Sequence, residues 1–362
     1  MKFLKTKSFL KKYERVFIPL ALVLGIIPDI FFFALVDFDF TVLILGVYLV
    51  LAAFSIVAVN FYEDGLWRGK LSHLLHIAAP YALQFFFGAL FTAFVLFYSF
   101  SGSLLASWPF ISVLLFLVVA NEVFKKYNTR PDIDLAVFFF ALFSYLNLAV
   151  PYLLRNVGPE VFILSGVLSL LIMGFFVGIL LRRSPGIRKI RNVAVAIIGG
   201  LFIAMNVFYF TNVIPPIPLS LRDIGIYYHV ERAGDGYRLI GREKQWWEGW
   251  RSFTLSGEEF RIYGAREVYA FSAVFAPPGM DLGIIHEWQM RSAGGGWLTR
   301  STIPFPITGG RSEGFRGFSK TQQIEPGLWR VNIKTNTGQI IGQLRFRAVE
   351  AASRPEYSVE IK

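Results

Sequence analysis

From residue 16 to residue 214 the chain runs in long apolar stretches separated by short polar breaks, and beyond that point apolar and polar positions alternate over shorter distances. A helix needs about 20 mostly apolar residues to cross a hydrocarbon layer roughly 30 Å thick. Seven such runs fit between the breaks, near 16–36, 40–61, 74–100, 104–124, 135–154, 160–181 and 193–214. Pro28 and Asp29 interrupt the first, as a kink or as a helix end. From Ile224 onward the period of two predicts strands near 224–231, 237–243, 250–255, 267–275, 283–291, 297–303, 314–320, 328–335 and 339–349. Turn signals at Gly234-Asp235-Gly236, Ala276-Pro277-Pro278-Gly279, Gly294-Gly295-Gly296, Gly309-Gly310, Pro326-Gly327 and Asn336-Thr337-Gly338 separate them. The expected fold is an α-helical polytopic membrane bundle of about seven transmembrane helices, followed by an all-β, sandwich-like domain of immunoglobulin-like size.

Composition sharpens the border. Thirty of the 38 Phe fall in residues 1–214, and six of the eight Trp fall after them. Pro215-Pro216-Ile217-Pro218 cannot continue a helix and reads as a stiff extended linker, which sets a membrane domain over 1–214, a linker over 215–220 and an extracytoplasmic β domain over 221–362. The net charge of +11 divides as +7 and +4 across that border. Basic residues of the membrane part gather on one side: sixteen lie before the first run and in alternate loops, against Arg155 alone on the other. Lys and Arg accumulate in cytoplasmic loops, so the N-terminus is expected inside and the β domain outside, which in a bacterium means an inner-membrane protein with a periplasmic domain. Anionic lipid facing those loops accounts for the charge without a nucleic-acid partner. A secretory signal is the competing account of the first run, but its length and the lack of a small-residue cleavage pattern before Asp37 favour an uncleaved anchor.

Ionisable residues inside spans are candidates for function because charge in hydrocarbon is costly. Asp29 stands beside Pro28, where it binds a cation or proton, or else accepts hydrogen bonds at the outer interface. Glu122 precedes Lys125 and Lys126 by about one turn, the spacing of an interfacial ion pair. His73 and His76 share one helix face, with Glu63 and Asp64 upstream; a metal, proton handling and plain interfacial histidines are the alternatives, with the last preferred. Gly174 and Gly178 form a small-xxx-small pattern, read as intramolecular helix packing ahead of a dimer face. Trp67, Trp108, Tyr62 and Tyr98 sit near predicted helix ends, as an interfacial belt requires.

The β part carries a family resemblance. Val268-Tyr269-Ala270-Phe271, His286-Glu287-Trp288, Gly309-Gly310-Arg311, Gly314-Phe315-Arg316, Ser319-Lys320, Gly327-Leu328-Trp329-Arg330-Val331 and Thr337-Gly338-Gln339-Ile340-Ile341-Gly342 with Phe346 follow one another at specific spacings. Together, over about 265–349, they resemble the bacterial family known as domain of unknown function 2914. The resemblance implies an envelope location and no activity. Among these residues Trp329, Val331 and Ile333, with Ile341, Leu344 and Phe346, read as one buried face, and Asn336-Thr337-Gly338 as a hairpin turn. His286, Trp288, Arg311, Arg316 and Lys320 form the polar-aromatic set, read either as a ladder that stabilises the fold or as a site for an anionic glycan, lipid headgroup or peptide terminus. Trp246, Trp247 and Trp250 dip into the outer leaflet, bind sugar rings, or close the core.

With Cys at 0, disulfides, thiolate metal sites and cysteine nucleophiles are excluded. No phosphate loop, dinucleotide fingerprint, His-Glu-x-x-His or nucleophile elbow occurs, so no cofactor and no enzyme class is implied. The leading expectation is a membrane protein presenting a periplasmic β-sandwich to an envelope ligand or partner protein. The alternative is a transporter or lipid-handling bundle with the β domain as accessory lid, which would place Asp29, His73 and His76 on a water-filled cavity.

Overall fold

In a computed structural model, residues 38–101, 104–123, 130–234, 236–241, 258–263, 267–308, 314–322, 324–352 and 357–362 are described. The first apolar run with Asp29, the Trp246, Trp247 and Trp250 cluster, the strand expected at 250–255 and Arg311 lie outside them. Six helices precede eleven strands: α1 (Phe38–Glu63), α2 (Lys70–Phe100), α3 (Leu104–Val123), α4 (Pro131–Leu154), α5 (Pro159–Arg183) and α6 (Pro185–Phe210). Five of them, all but α3, are long and apolar enough to cross a membrane, as befits a multi-pass membrane protein. The chain divides into two units, one helical, the other made of Asn212–Lys362 with Tyr98–Trp108 and Pro151–Pro159.

Three of the helix starts have a common cause. Proline opens α4, α5 and α6, because its missing N–H falls where a helix has no acceptor for one and its fixed φ suits the first turn. The last helix accordingly begins at Pro185 and not near 193, carrying Arg188, Lys189 and Arg191 on its first turns. Its N-cap Ser184 accepts from the Ile187 amide at 3.2 Å. The Asp64 carboxylate accepts hydrogen bonds from the Ser184 hydroxyl and the Gly186 amide, an anion where the helix end is positive. Asp64 is therefore committed to α6 and unavailable as a ligand beside the histidines.

Phenylalanine supplies the packing between helices. Phe91 and Phe110 both meet Phe140, Phe143 meets Phe162 and Phe202, and Phe162 stacks on Tyr209 with ring centroids 3.7 Å apart. Gly166 makes room for this, since a Cβ there would stand 2.9 Å from Phe143 and 3.0 Å from Phe202. Gly174 and Gly178 do not behave so: a Cβ on either would meet nothing within 4 Å. The expected intramolecular packing role passes to Gly166, because only that face of α5 turns toward α4 and α6. Several buried polar side chains bond to their own helix, as Ser165 does to Val161 O and Ser169 to Ser165 O. Gln84 and Asn121 instead exchange side-chain to backbone bonds between α2 and α3, both at 2.8 Å, which satisfies them where water is scarce. Of the expected belt residues Trp108 is exposed, whereas Tyr98 is fully buried.

The second unit holds β1 (Ser220–Tyr227), β2 (His229–Ala233), β3 (Gly236–Gly241), β4 (Glu258–Ile262), β5 (Val268–Phe275), β6 (Asp281–Arg291), β7 (Trp297–Thr308), β8 (Phe315–Thr321), β9 (Gly327–Thr335), β10 (Ile340–Glu350) and β11 (Ser358–Ile361). They form sheets of order β1-β5-β8, β4-β10-β9-β6-β7 and β11-β3-β2. The first two share one core, with Trp288, Val331, Ile333, Leu344 and Phe346 from the larger sheet against Ile226, Val268, Ala270 and Val274 from the smaller. The third covers part of the other face of β5 with Val230, Leu239 and Tyr237. Residues 214–220 are buried, and Ile217 and Leu219 amides donate to Pro215 and Pro216 carbonyls. This segment is turned and packed, where a stiff extended spacer was expected, because its apolar side chains have a core to enter.

Candidate functional site

Strand parity decides where the polar-aromatic residues go. His286 and Trp288 alternate on β6 and share a face as expected, but that face is the core, and both are 0% exposed. His286 Nε2 bonds with Ser272 Oγ on β5 and Nδ1 with Ser319 Oγ on β8, each at 2.8 Å. The Trp288 indole N–H donates to the same Ser319 oxygen at 3.0 Å, and Phe305 closes the imidazole edge-on, centroids 4.8 Å apart. A neutral imidazole has one donor and one acceptor nitrogen, and the two hydroxyls satisfy both in either tautomer. Burial holds the His286 pKa down to about 3, so the ring is uncharged at neutral pH. A serine against a histidine invites comparison with a nucleophile and its base, yet nothing reaches this one from solvent. It is a hydrogen-bonded seam between two sheets.

Arg316 and Lys320 flank Ser319 on β8 and therefore point the other way. Lys320 is exposed and pairs with Glu267 at 3.6 Å; Arg316 is half-buried, its carbonyl accepting from the Tyr237 hydroxyl. The structure thus separates the expected set: His286 and Trp288 inside, Arg316 and Lys320 on the opposite face of β8, Arg311 outside the described residues. The single ligand face drawn from sequence does not form from these described members.

A different basic-aromatic group does form, on the outward face of the five-stranded sheet. Gln289 of β6 lies opposite Arg330 of β9, which lies opposite Arg345 of β10. One residue pair further along, Glu287, Asn332 and Gln343 make a parallel row. The Arg330 guanidinium stacks over Trp297 of β7 at 4.2 Å, and Arg345 stands 5.9 Å from the same ring. Amides orient both: Arg330 Nε donates to Gln289 Oε1 at 2.6 Å, and Arg345 Nε to Gln343 Oε1 at 2.9 Å. Asn332 ties the rows together, donating to Glu287 and Gln289 and accepting from Gln343 at 2.6 Å. Burial lowers the pKa of Arg330, with Arg345 adding to it and Glu287 opposing; burial likewise lowers that of Arg345, with Arg291 adding. Burial would raise Glu287, but hydrogen bonds from Lys334 and Asn332 hold it below its ordinary value. Glu287 is thus engaged by Lys334 at 2.5 Å, and among the described residues neither Arg330 nor Arg345 has a carboxylate within ion-pair distance. The alternation of β9 carried the signal for Arg330, since Trp329, Val331 and Ile333 inward put Arg330 and Asn332 outward.

In the helical unit the Tyr62 hydroxyl bonds with His73 Nδ1 at 2.8 Å, and His76 stacks on the Tyr62 ring with centroids 4.3 Å apart. His73 is exposed and His76 half-buried. Among the described residues no group of three or more His, Asp or Glu is arranged to hold a metal ion. The side chain of Glu122 lies outside the described residues.

The architecture defines a class, multi-pass membrane helices followed by a β-rich unit with its own core. Residues 282–348 match the family described as protein of unknown function (DUF2914), within the stretch whose motifs resemble it. No curated protein matches the chain. Among solved structures, a β-glucosidase from Kluyveromyces marxianus is similar at 6% identity and a TM-score of 0.16, over 38% of this chain and 15% of that one. The alkylpurine DNA glycosylase AlkC of Pseudomonas fluorescens is similar at 12% identity and a TM-score of 0.19, over 83% and 97% of the two chains. Overlaps of that quality carry no argument about fold or activity.

Proposed function

We propose that this chain is a bacterial inner-membrane protein that crosses the bilayer seven times and presents its β unit, a two-layer sandwich, in the periplasm as a binding module for an envelope ligand or partner. The one-sided distribution of Lys and Arg supports the orientation. The shared core and the His286 seam support the sandwich. Binding rests on one observation: Arg330 and Arg345 stand directly opposite each other on an outward sheet face, over Trp297, without a carboxylate partner among the described residues. Like charges directly opposite destabilise a sheet by a few tenths of a kcal/mol to about 1 kcal/mol, so an arrangement that serves only the fold has no need of them. An anionic ligand supplies the missing charge. The transport reading lacks a comparable support, because His73 and His76 engage Tyr62 and Asp64 caps α6. The test is titration of the full chain in maltoside micelles with anionic glycan fragments, lipid headgroups and peptides, following Trp fluorescence. A saturable response lost in Arg345→Gln supports the module; a response lost in His73→Ala and kept in Arg345→Gln returns function to the helices.

A further inference from the structure

The Arg330 and Arg345 pair narrows the ligand further than its charge alone. Each guanidinium has its Nε occupied by an amide oxygen, Gln289 Oε1 and Gln343 Oε1. That removes the side-on fork through Nε and one Nη, leaving the two Nη ends of each residue as donors. Cross-strand neighbours have Cβ atoms about 5 Å apart, so both end-on forks reach one group between them. A carboxylate brings one negative charge and two oxygens and would leave one arginine uncompensated. A phosphate ester brings about −1.5 to −2 at neutral pH and three acceptor oxygens. Arg291, whose charge depresses the Arg345 pKa, adds a third cation at the rim. Trp297 beneath Arg330 keeps that guanidinium flat and gives an apolar floor for whatever carries the phosphate. The amide girdle of Gln289, Asn332 and Gln343 holds the donors without neutralising them, and Glu287, which acts on Arg330 from the next row, is shared with Lys334.

We infer that the outward face of the five-stranded sheet is a phosphate-binding site in which Arg330 and Arg345 clamp one phosphate group over Trp297. This rests on the reading of the β unit as a binding module. The phosphate belongs either to a soluble ester or to a lipid headgroup, and the same residues serve both.

The test uses the full chain in maltoside micelles, which carry no phosphate. Calorimetric titration with inorganic phosphate and with glycerol 3-phosphate is set beside acetate, and flotation is measured with vesicles of phosphatidylcholine containing phosphatidylglycerol. Saturable phosphate binding is expected, weakened at least about ten-fold in Arg330→Gln and in Arg345→Gln, and unchanged in Arg347→Gln, an exposed neighbour on the same face. Flotation that requires both arginines without binding of the soluble esters would assign the lipid as source; the reverse would assign the ester. Stability separates a ligand site from a structural ladder. Without phosphate, Arg345→Gln should melt higher than the parent because it removes a like-charge pair, and phosphate should raise the parent alone. Acetate binding with the same arginine dependence and no phosphate binding would overturn the phosphate assignment and leave the module intact. Indifference of every anion to both substitutions, or a lower melting point for Arg345→Gln in the absence of anions, would overturn both.

Discussion

His286 carries the sharpest consequence of a single residue's surroundings. Its pKa is about 3 in the folded chain against an ordinary 6.5, so between those values the unfolded chain binds a proton that the folded chain refuses. Stability contributed by the neutral ring is complete above pH 6.5 and falls as pH drops through the window down to about 3. The slope for one group is about 1.4 kcal/mol per pH unit, which amounts to about 2 kcal/mol lost by pH 5. Melting of the β unit, followed by Trp fluorescence of the full chain at pH 7 and pH 5, should show this acid sensitivity. In His286→Gln the absolute stability drops, since Ser272 and Ser319 lose a shaped partner, but the extra slope between the two pH values should vanish. An identical slope in parent and variant would mean that the histidine charges freely and that the seam is open to water. The sequence put His286 and Trp288 on one strand face correctly; what it lacked was which face, because period two is silent about inside and outside when both alternating sets contain aromatic and polar residues.

At the scale of elements, hydrophobic period made most of the structure legible. The six described helices fall on runs two to seven, and strands at 224, 237, 267, 283, 297, 314, 328 and 339 have counterparts within a few residues. The strands at Glu258–Ile262 and Ser358–Ile361 escaped because they are short and edge-like, with few apolar residues to show a period, and the one strand drawn at 224–231 is divided between β1 and β2. Between β9 and β10 the register shifts at Ile340 and Gly342. The break is visible in the sequence as an odd step, since Ile341 and Leu344 are both buried though three residues apart. Without that bulge a one-residue slip would turn Arg345 into the core, so the candidate site depends on it. Small residues in helices show the complementary failure: a spacing rule finds Gly174 and Gly178 but not Gly166, which the rings of Phe143 and Phe202 require. Gly166→Leu should therefore force α5 away from α4 and α6 and destabilise the purified protein by about 1–3 kcal/mol, since the site is ringed by Phe143 and Phe202. Gly174→Leu should leave it within about 0.5 kcal/mol of the parent. Equal damage from both would mean that the open face of α5 is covered by a second copy.

For the whole molecule the decisive quantity is which side of the bilayer each unit occupies, and the chain is unusually suited to asking. It contains no cysteine, so a single introduced thiol is the only target for a membrane-impermeant maleimide. Lys189 is exposed near the start of α6, Asn156 is exposed in the segment between α4 and α5, and Asn336 is exposed at the β9 to β10 turn. On the proposed orientation, which keeps the sixteen basic residues inside, Lys189 is cytoplasmic and the other two are outside. Lys189→Cys should label only after cells are permeabilised, whereas Asn156→Cys and Asn336→Cys should label in spheroplasts with the membrane intact. Lys7→Cys adds the parity test that the described helices alone do not supply. With α1 to α5 each crossing, as proposed, labelling of Lys7→Cys together with Lys189→Cys requires a further crossing within the first apolar run and seven in all. With the same five crossing, labelling of Lys7→Cys from outside, with Lys189→Cys protected, would reduce the bundle to six crossings. If Asn336→Cys were protected instead, the β unit would face the cytoplasm, and the phosphate clamp would have to be sought among cytoplasmic esters and inner-leaflet headgroups.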